Sequence, residues 1–278
     1  MPSVEIDAGW TFAPIVLIAL AGYLGVYVAR WRTSRREGGP RAAGGWRLAA
    51  WCGGIAALFV ALISPVDILG EQLASMHMVQ HLLIADIAAI LLTLGLTRHI
   101  LRPATRRIHR IERAAGPLAS PWFGVVAYVG VMWLWHVPAM YDAALRHSSV
   151  HTLEHLTFAA AGLLYWWHLL SPIRSRLRLT GMAPVAYMAS TKLLVGMLGI
   201  VLAFSPELLY DAYDTGGTRW GMSALDDQRV AGLIMALEQS IVMGIALAWL
   251  FIRALAESEA EEQRSERYGD EPPAERYA

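Results

Sequence analysis

Seven long apolar blocks restrict the possible folds of this chain more than any other feature of its sequence. They cover residues 12–29, 46–63, 79–96, 122–137, 153–170, 184–204 and 230–252. A helix needs about 20 mostly apolar residues to cross roughly 30 Å of hydrocarbon. Inside lipid the backbone must satisfy its own polar groups, which helices do within one segment. The blocks therefore predict an all-α, polytopic membrane protein with seven transmembrane helices over residues 1–252. The composition agrees, since 56% of the residues are hydrophobic and only 17% are charged, unlike an average soluble domain. Gly22 and Gly25, and Gly196 and Gly199, are the small residues expected to let helices approach closely.

Charge is balanced overall, with a formal net charge of zero, and no basic face points to nucleic acid. The opening MPSVEIDAGW carries Glu5 and Asp7 and no Lys or Arg. A cleaved leader would begin with basic residues, so the first block reads as a retained helix. Cys52 is the single cysteine, which excludes an intrachain disulfide and a C-x-x-C metal pair. Within its apolar run it reads as a small buried core residue.

The arginines set the expected orientation. RWRTSRREGGPRAAGGWR follows the first block, RHILRPATRRIHRIER the third, SPIRSRLRL the fifth, and Arg253 the seventh. The remaining connections hold only Arg146, Arg219 and Arg229. Basic loops stay in the cytoplasm, so the N-terminus is expected outside and the C-terminus inside. The segment 253–278 is polar and rich in Glu, and reads as a charged cytoplasmic tail that frays into disorder.

On this topology six of the nine histidines fall at one membrane surface: His77, His81, His136, His147, His151 and His155. His99, His109 and His168 lie elsewhere. His77 and His81 are four residues apart, as are His151 and His155, and that spacing puts each pair on one helix face. Imidazole suits copper, zinc, iron and nickel, and thioethers such as Met78 favour Cu(I). With no thiol pair available, a His/Met site is the way this chain could hold copper, and His77, His81, His151, His155, His136 and Met78 are the candidate ligands of a metal, haem iron remaining the alternative. His136 also reads as a helix-end residue before Pro138, and Met76, Met78 and Met140 as packing side chains. His147 would join only if its helix starts early. Glu154 lies beside His155 and is placed as a residue that orients an imidazole, on a helical direction different from that of His151 and His155. Asp86, Lys192 and Glu238 lie inside blocks, where ionisable groups normally pair. An Asp86–Lys192 or Glu238–Lys192 pair is the structural expectation, and a proton or ion path the functional alternative.

The stretches SPVDILGEQLASMHMVQHLLI, WHVPAMYDAALRHSSVHTLEHLTF, GLLYWW and DDQRVAGLIM resemble the seven-helix caa3-type cytochrome c oxidase assembly factor family, CtaG of the Bacillus type. The resemblance runs from about residue 64 to residue 243. It implies a multi-pass protein of the bacterial cytoplasmic membrane that helps assemble a haem–copper oxidase of the respiratory chain, with oxidase subunits as partners. Carried over by position, the polar outer-face residues of the family look like His77, His81, His136, His151, His155, Asp227 and Gln228. A non-enzymatic, copper-binding assembly factor is the leading reading. A b-type haem protein ligated by residues such as His81 and His155 is the second, and a copper or proton transporter using Asp86, Lys192 and Glu238 the third.

Overall fold

The computed structural model describes residues 3–170, 172–173, 177 and 179–269. Among them every extended regular element is a helix, and β pairing is confined to two isolated bridges, Ser3–Thr218 and Arg219–Met222. In chain order the helices are α1 (Pro14–Ala42), α2 (Gly45–Ile63), α3 (Pro65–Gly70), α4 (Ala74–Leu82), α5 (Ala89–Gly95), α6 (Thr105–Ala115), α7 (Pro121–Trp135), α8 (Pro138–Arg146), α9 (Ser148–Leu170), α10 (Ala183–Ala203) and α11 (Ala224–Gly269). A π-helical turn, Leu83–Ala88, joins α4 to α5 without a break.

Among the described residues five helices are long and apolar enough to cross a membrane: α1, α2, the continuous Ala74–Gly95 segment, α10 and α11. A sixth is reached if Thr105–Ala119 and Pro121–Trp135, bent by 66° from one another, count as one span. The bend has a local cause. Gly116 takes φ +54°, and Ser120 then caps α7 by accepting the Phe123 amide at 3.2 Å, with Pro121 at its first position. Helix α6 buries none of its residues and carries Arg106, Arg107, Arg110 and Arg113, the character of a helix lying along an interface. The block at 153–170 has the length, since α9 has 23 residues. It falls short in apolarity because His151, Glu154, His155 and His168 lie along it.

The exterior is apolar, as lipid contact requires: Ile15, Ile18 and Val26 of α1, Leu193 and Ile200 of α10, and Ile241 and Ile245 of α11 are all exposed. Cys52 is exposed too, on the outer face of α2, rather than buried as its apolar context suggested. The core lies between the Ala74–Gly95 segment and α7–α11. Two glycine contacts set its spacing. At Gly162 of α9 an added Cβ would stand 2.1 Å from the Ala85 carbonyl oxygen, so α9 crosses the π turn at backbone contact. At Gly232 of α11 it would stand 2.3 Å from the Ala203 amide, with Gly199 of α10 alongside. Gly199 thus packs a helix pair as expected, whereas Gly22, Gly25 and Gly196 have nothing near their Cβ positions and do not.

The two ends of the bundle differ chemically. At one end a cavity of about 510 Å³ is lined by Arg41, Arg47, Arg98 and Arg253 with Trp46 and Trp249. At the other end the N-terminal strand of chain meets the 64–73 and 205–223 connections: Thr11 donates to Asp67 at 2.6 Å, Asp7 accepts the Gln72 side chain at 2.7 Å, and Val4 donates to Thr218 at 2.9 Å. Helix α11 is continuous to Gly269, so the charged segment from 253 is helical to that point. Residues 270–278, the remainder of the expected tail, lie outside the described residues.

Candidate metal centre

Helix α4 begins at Ala74, inside the polar stretch SMHMVQH, so His77 and His81 lie within the helix and not at its lip. They are 0% and 2% exposed. The start of α4 is held from outside the element. Its N-cap residue, Leu73, offers no side-chain acceptor. Asp227 of α11 supplies one, accepting the Ala74 amide at 2.6 Å and the amide and hydroxyl of Ser75. The neighbouring Gln228 holds the 205–213 connection, accepting the Leu209 amide at 2.7 Å and donating to Glu207 O at 3.2 Å.

Across from α4, helix α9 presents His151, Glu154 and His155. These fall at i, i+3 and i+4, one face of a helix. Glu154 is 0% exposed and points into the same space as the histidines, which corrects its expected divergent direction. Its Oε1 lies 3.5 Å from His77 Nε2 and 3.6 Å from His81 Nε2. The rings form two layers, with His77 over against His151 at 5.5 Å between centroids and His81 over against His155 at 5.7 Å. Along each helix the rings are 4.2 Å apart. One ligand atom each from His77, His151 and Glu154 lies within 4.8 Å of the others, and the same holds for His81, Glu154 and His155.

The polar atoms of this cluster are unsatisfied by the protein. Both ring nitrogens of His77 and of His81, both carboxylate oxygens of Glu154, and Nε2 of His151 and His155 are buried without a hydrogen-bond partner. Native proteins leave only a few such atoms per hundred residues, and here eight belong to five neighbouring residues. Imidazole nitrogens and a carboxylate are also the donors that first-row transition metals take. The donor set fits a metal, and the five residues that would hold it are His77, His81, His151, Glu154 and His155.

His136 and Met78 form an adjoining pair. His136 Nδ1 donates to Met132 O at 2.6 Å, which leaves the Nε2 lone pair facing Met78 Sδ at 3.4 Å. Neither atom can donate to the other, and both can ligate. A cap of tyrosines closes the cluster on that side. The Tyr141 ring lies 4.9 Å from His77 and stacks on Tyr210 at 3.8 Å, and its hydroxyl lies 3.3 Å from that of Tyr213. Tyr213 donates in turn to Gly70 O at 2.8 Å. Phe158, 4.2 Å from His81, lines the opposite side. His147 is exposed and precedes α9, so it takes no part. Met76 and Met140 are half-buried at the margin.

The ionisable residues deeper in the bundle do not pair as expected. Asp86, in the π turn, accepts Tyr128 Oη at 2.8 and 2.7 Å and Trp166 Nε1 at 2.9 Å. Lys192 donates to the Gln239 carbonyl at 2.5 Å, and Glu238 accepts Gln239 Nε2 at 2.7 Å. Among the described residues no ion pair joins Lys192 to either carboxylate. Neutral aromatic donors reach Asp86 from α7 and α9, so no cation is required beside it.

A multi-helix membrane protein with a histidine–carboxylate cluster between two helices is the class these features define. The profile described as cytochrome c oxidase caa3 assembly factor (Caa3_CtaG) matches residues 25–257. The chain belongs to that family, a family of cytochrome c oxidase assembly factors. It is also 23% identical over 283 residues to "Uncharacterized protein ML1998" of Mycobacterium leprae (strain TN), an alignment that takes in 94% of this chain and 42% of that protein. The chain thus spans less than half the length of the curated relative it matches. No solved structure matches it.

The expected ligands His77, His81, His151 and His155 come together, and His136 and Met78 stand next to them. The residues missed as part of the cluster or its enclosure are Glu154 as a central group and the tyrosines 141, 210 and 213. The spacing of Glu154 from His151 was a signal for the first. The tyrosines had none, because two of them come from a connection with no periodic pattern.

Proposed function

We propose that this protein holds copper between α4 and α9 and passes it to a haem–copper cytochrome c oxidase during assembly in the bacterial cytoplasmic membrane. The observation that carries the reading is the set of eight buried, unpartnered polar atoms on four imidazoles and one carboxylate. Burying such atoms without partners costs roughly 1–3 kcal/mol each, and metal ligation would remove that cost for each atom it engages. Membership of an assembly-factor family gives the site a client. The absence of thiolates favours transfer, since the ion is held by ligands that can release it. Met78 and His136, side by side, offer a soft acceptor position next to the cluster. No catalytic step is assigned to any residue.

The same reading takes α7 and α9 as spans, making seven, with the N-terminus outside. The polar residues of α9 turn inward, while Leu153, Leu156 and Leu163 remain exposed for lipid. A haem between the histidines is disfavoured by their close packing on each other and on Phe158 and Tyr141.

The test is metal analysis of purified, copper-loaded protein beside a variant with His77, His81, His151 and His155 all changed to Ala. Copper should be retained by the natural chain and by His99→Ala and His109→Ala controls, and lost from the quadruple variant. Cells lacking the protein should show reduced oxidase activity that added copper partly restores. Equal copper in the natural and quadruple-variant proteins would overturn the reading, and a Soret band in the purified protein would replace copper by haem.

A further inference from the structure

The cluster has a two-layer geometry that a single ion does not explain. His77 with His151 forms one layer and His81 with His155 the other, one helical turn apart. No set of mutually close ligand atoms includes all four histidines. The two triads that do form share one member, Glu154. Its Oε1 stands almost equally far from the two layers, at 3.5 Å from His77 Nε2 and 3.6 Å from His81 Nε2. Ligand atoms about 2.0–2.2 Å from a tetrahedrally disposed ion lie about 3.3–3.6 Å from one another. Both separations match those of two donors on a common ion, and both are made by the same oxygen, Oε1, to histidines of different triads. Neither oxygen of Glu154 has a hydrogen-bond partner, so one carboxylate can serve two ions.

Resting on the copper reading above, we propose that the site is dinuclear: one ion held by His77 and His151, a second by His81 and His155, and Glu154 bridging them. Charge selects the oxidation state. Two divalent ions against the cluster's one carboxylate would leave three positive charges that it does not balance, beside the buried His77, His81 and Glu154, and uncompensated buried charge is strongly unfavourable. Two cuprous ions leave one. Imidazole accepts Cu(I), as does the thioether of Met78 nearby. The protein then carries two cuprous ions per chain, and Glu154 couples their binding.

The experiment is an anaerobic Cu(I) titration of the purified, detergent-solubilised chain against a coloured Cu(I) chelator, with copper per chain measured at saturation. The natural protein should saturate at two ions. His77→Ala/His151→Ala and His81→Ala/His155→Ala should each saturate at one, which keeps the test independent of whether Glu154 variants fold. Glu154→Gln, matched in volume, should weaken both ions by at least about tenfold, the lower end of losses seen when a group supporting a metal is removed. Saturation of the natural chain at one ion overturns the dinuclear site and leaves the copper reading standing. Full-affinity binding of two ions by Glu154→Gln overturns the Glu154 bridge. No binding at all overturns both.

Discussion

Asp227 accepts the backbone amide of Ala74 at 2.6 Å, so the last transmembrane helix caps the helix that carries His77 and His81. The first amides of any helix lack intrahelical partners, and here the acceptor comes from 153 residues away in sequence. The cap ties the start of α4 to α11 and so limits how far the helix carrying His77 and His81 can rotate or slide. Asp227→Ala should destabilise the protein by about 1–3 kcal/mol, the cost of unpaired buried donors, and should also weaken copper binding. Asp227→Asn keeps one acceptor oxygen and should fall between. Thermal melts in detergent, with and without Cu(I), read both effects. A cap that mattered only for stability would lower the melting temperature and leave the copper affinity of the folded fraction unchanged.

Gly162 sets how closely α9 approaches the π turn that continues the helix of His77 and His81. A methyl group there would meet the Ala85 carbonyl oxygen at 2.1 Å, far inside contact distance, and that atom is backbone. Gly162→Ala must push α9 away from the π turn, about two turns from His155. Overpacking of this kind typically costs about 1–3 kcal/mol. The expected result is a lower melting temperature together with weaker copper binding. Gly130→Ala, on α7 with nothing near its Cβ position, is the matched control and should change neither.

The buried charges lead to a different expectation from the one their sequence positions invite. Asp86 is stabilised by Tyr128 and Trp166, and Lys192 donates to a backbone carbonyl. Tyr128→Phe should therefore destabilise by about 1.5–3 kcal/mol, the range for hydrogen bonds to charged groups. Lys192→Met should cost less, and adding Asp86→Asn to it should give no rescue. A double-mutant cycle on thermal stability decides the matter. A coupling energy well above zero between positions 86 and 192 would restore the ion pair.

What was legible in the sequence follows from what each signal depends on. Apolar block length depends only on the bilayer, so α1, α2, α10 and α11 lie where the blocks put them. The i,i+4 histidine pairs depend only on helical periodicity, and they do face each other. The start of α4 was placed at residue 79, five residues late, because SMHMVQH is polar and its burial depends on α9 and Asp227. Glu154 was read as divergent although i+3 from His151 lies on the same face. Cys52 was read as core because apolarity cannot separate a lipid-facing residue from a buried one. The Asp86–Lys192 pairing failed because opposite charges in neighbouring blocks say nothing of rotation about the helix axis. Neutral donors such as Tyr128 and Trp166 also carry no charge signal.

The orientation in the membrane rests on arginine, and the fold makes it testable with few probes. Arg41, Arg47, Arg98 and Arg253 come from separate segments and meet at one end of the bundle. The contacts among residues 7, 67, 72 and 219 gather at the other end. Each retained cytoplasmic arginine opposes translocation of its loop, so the arginine-lined end should be cytoplasmic. Single cysteines placed at the exposed residues 71 and 215 in a Cys52→Ser background should react with a membrane-impermeant maleimide added to intact cells. A cysteine at residue 105 should react only after the membrane is opened. Replacing Cys52 removes an exposed thiol that would otherwise add background. Labelling of residue 105 from outside would invert the protein, place the histidine cluster toward the cytoplasm, and require copper to be supplied from that side.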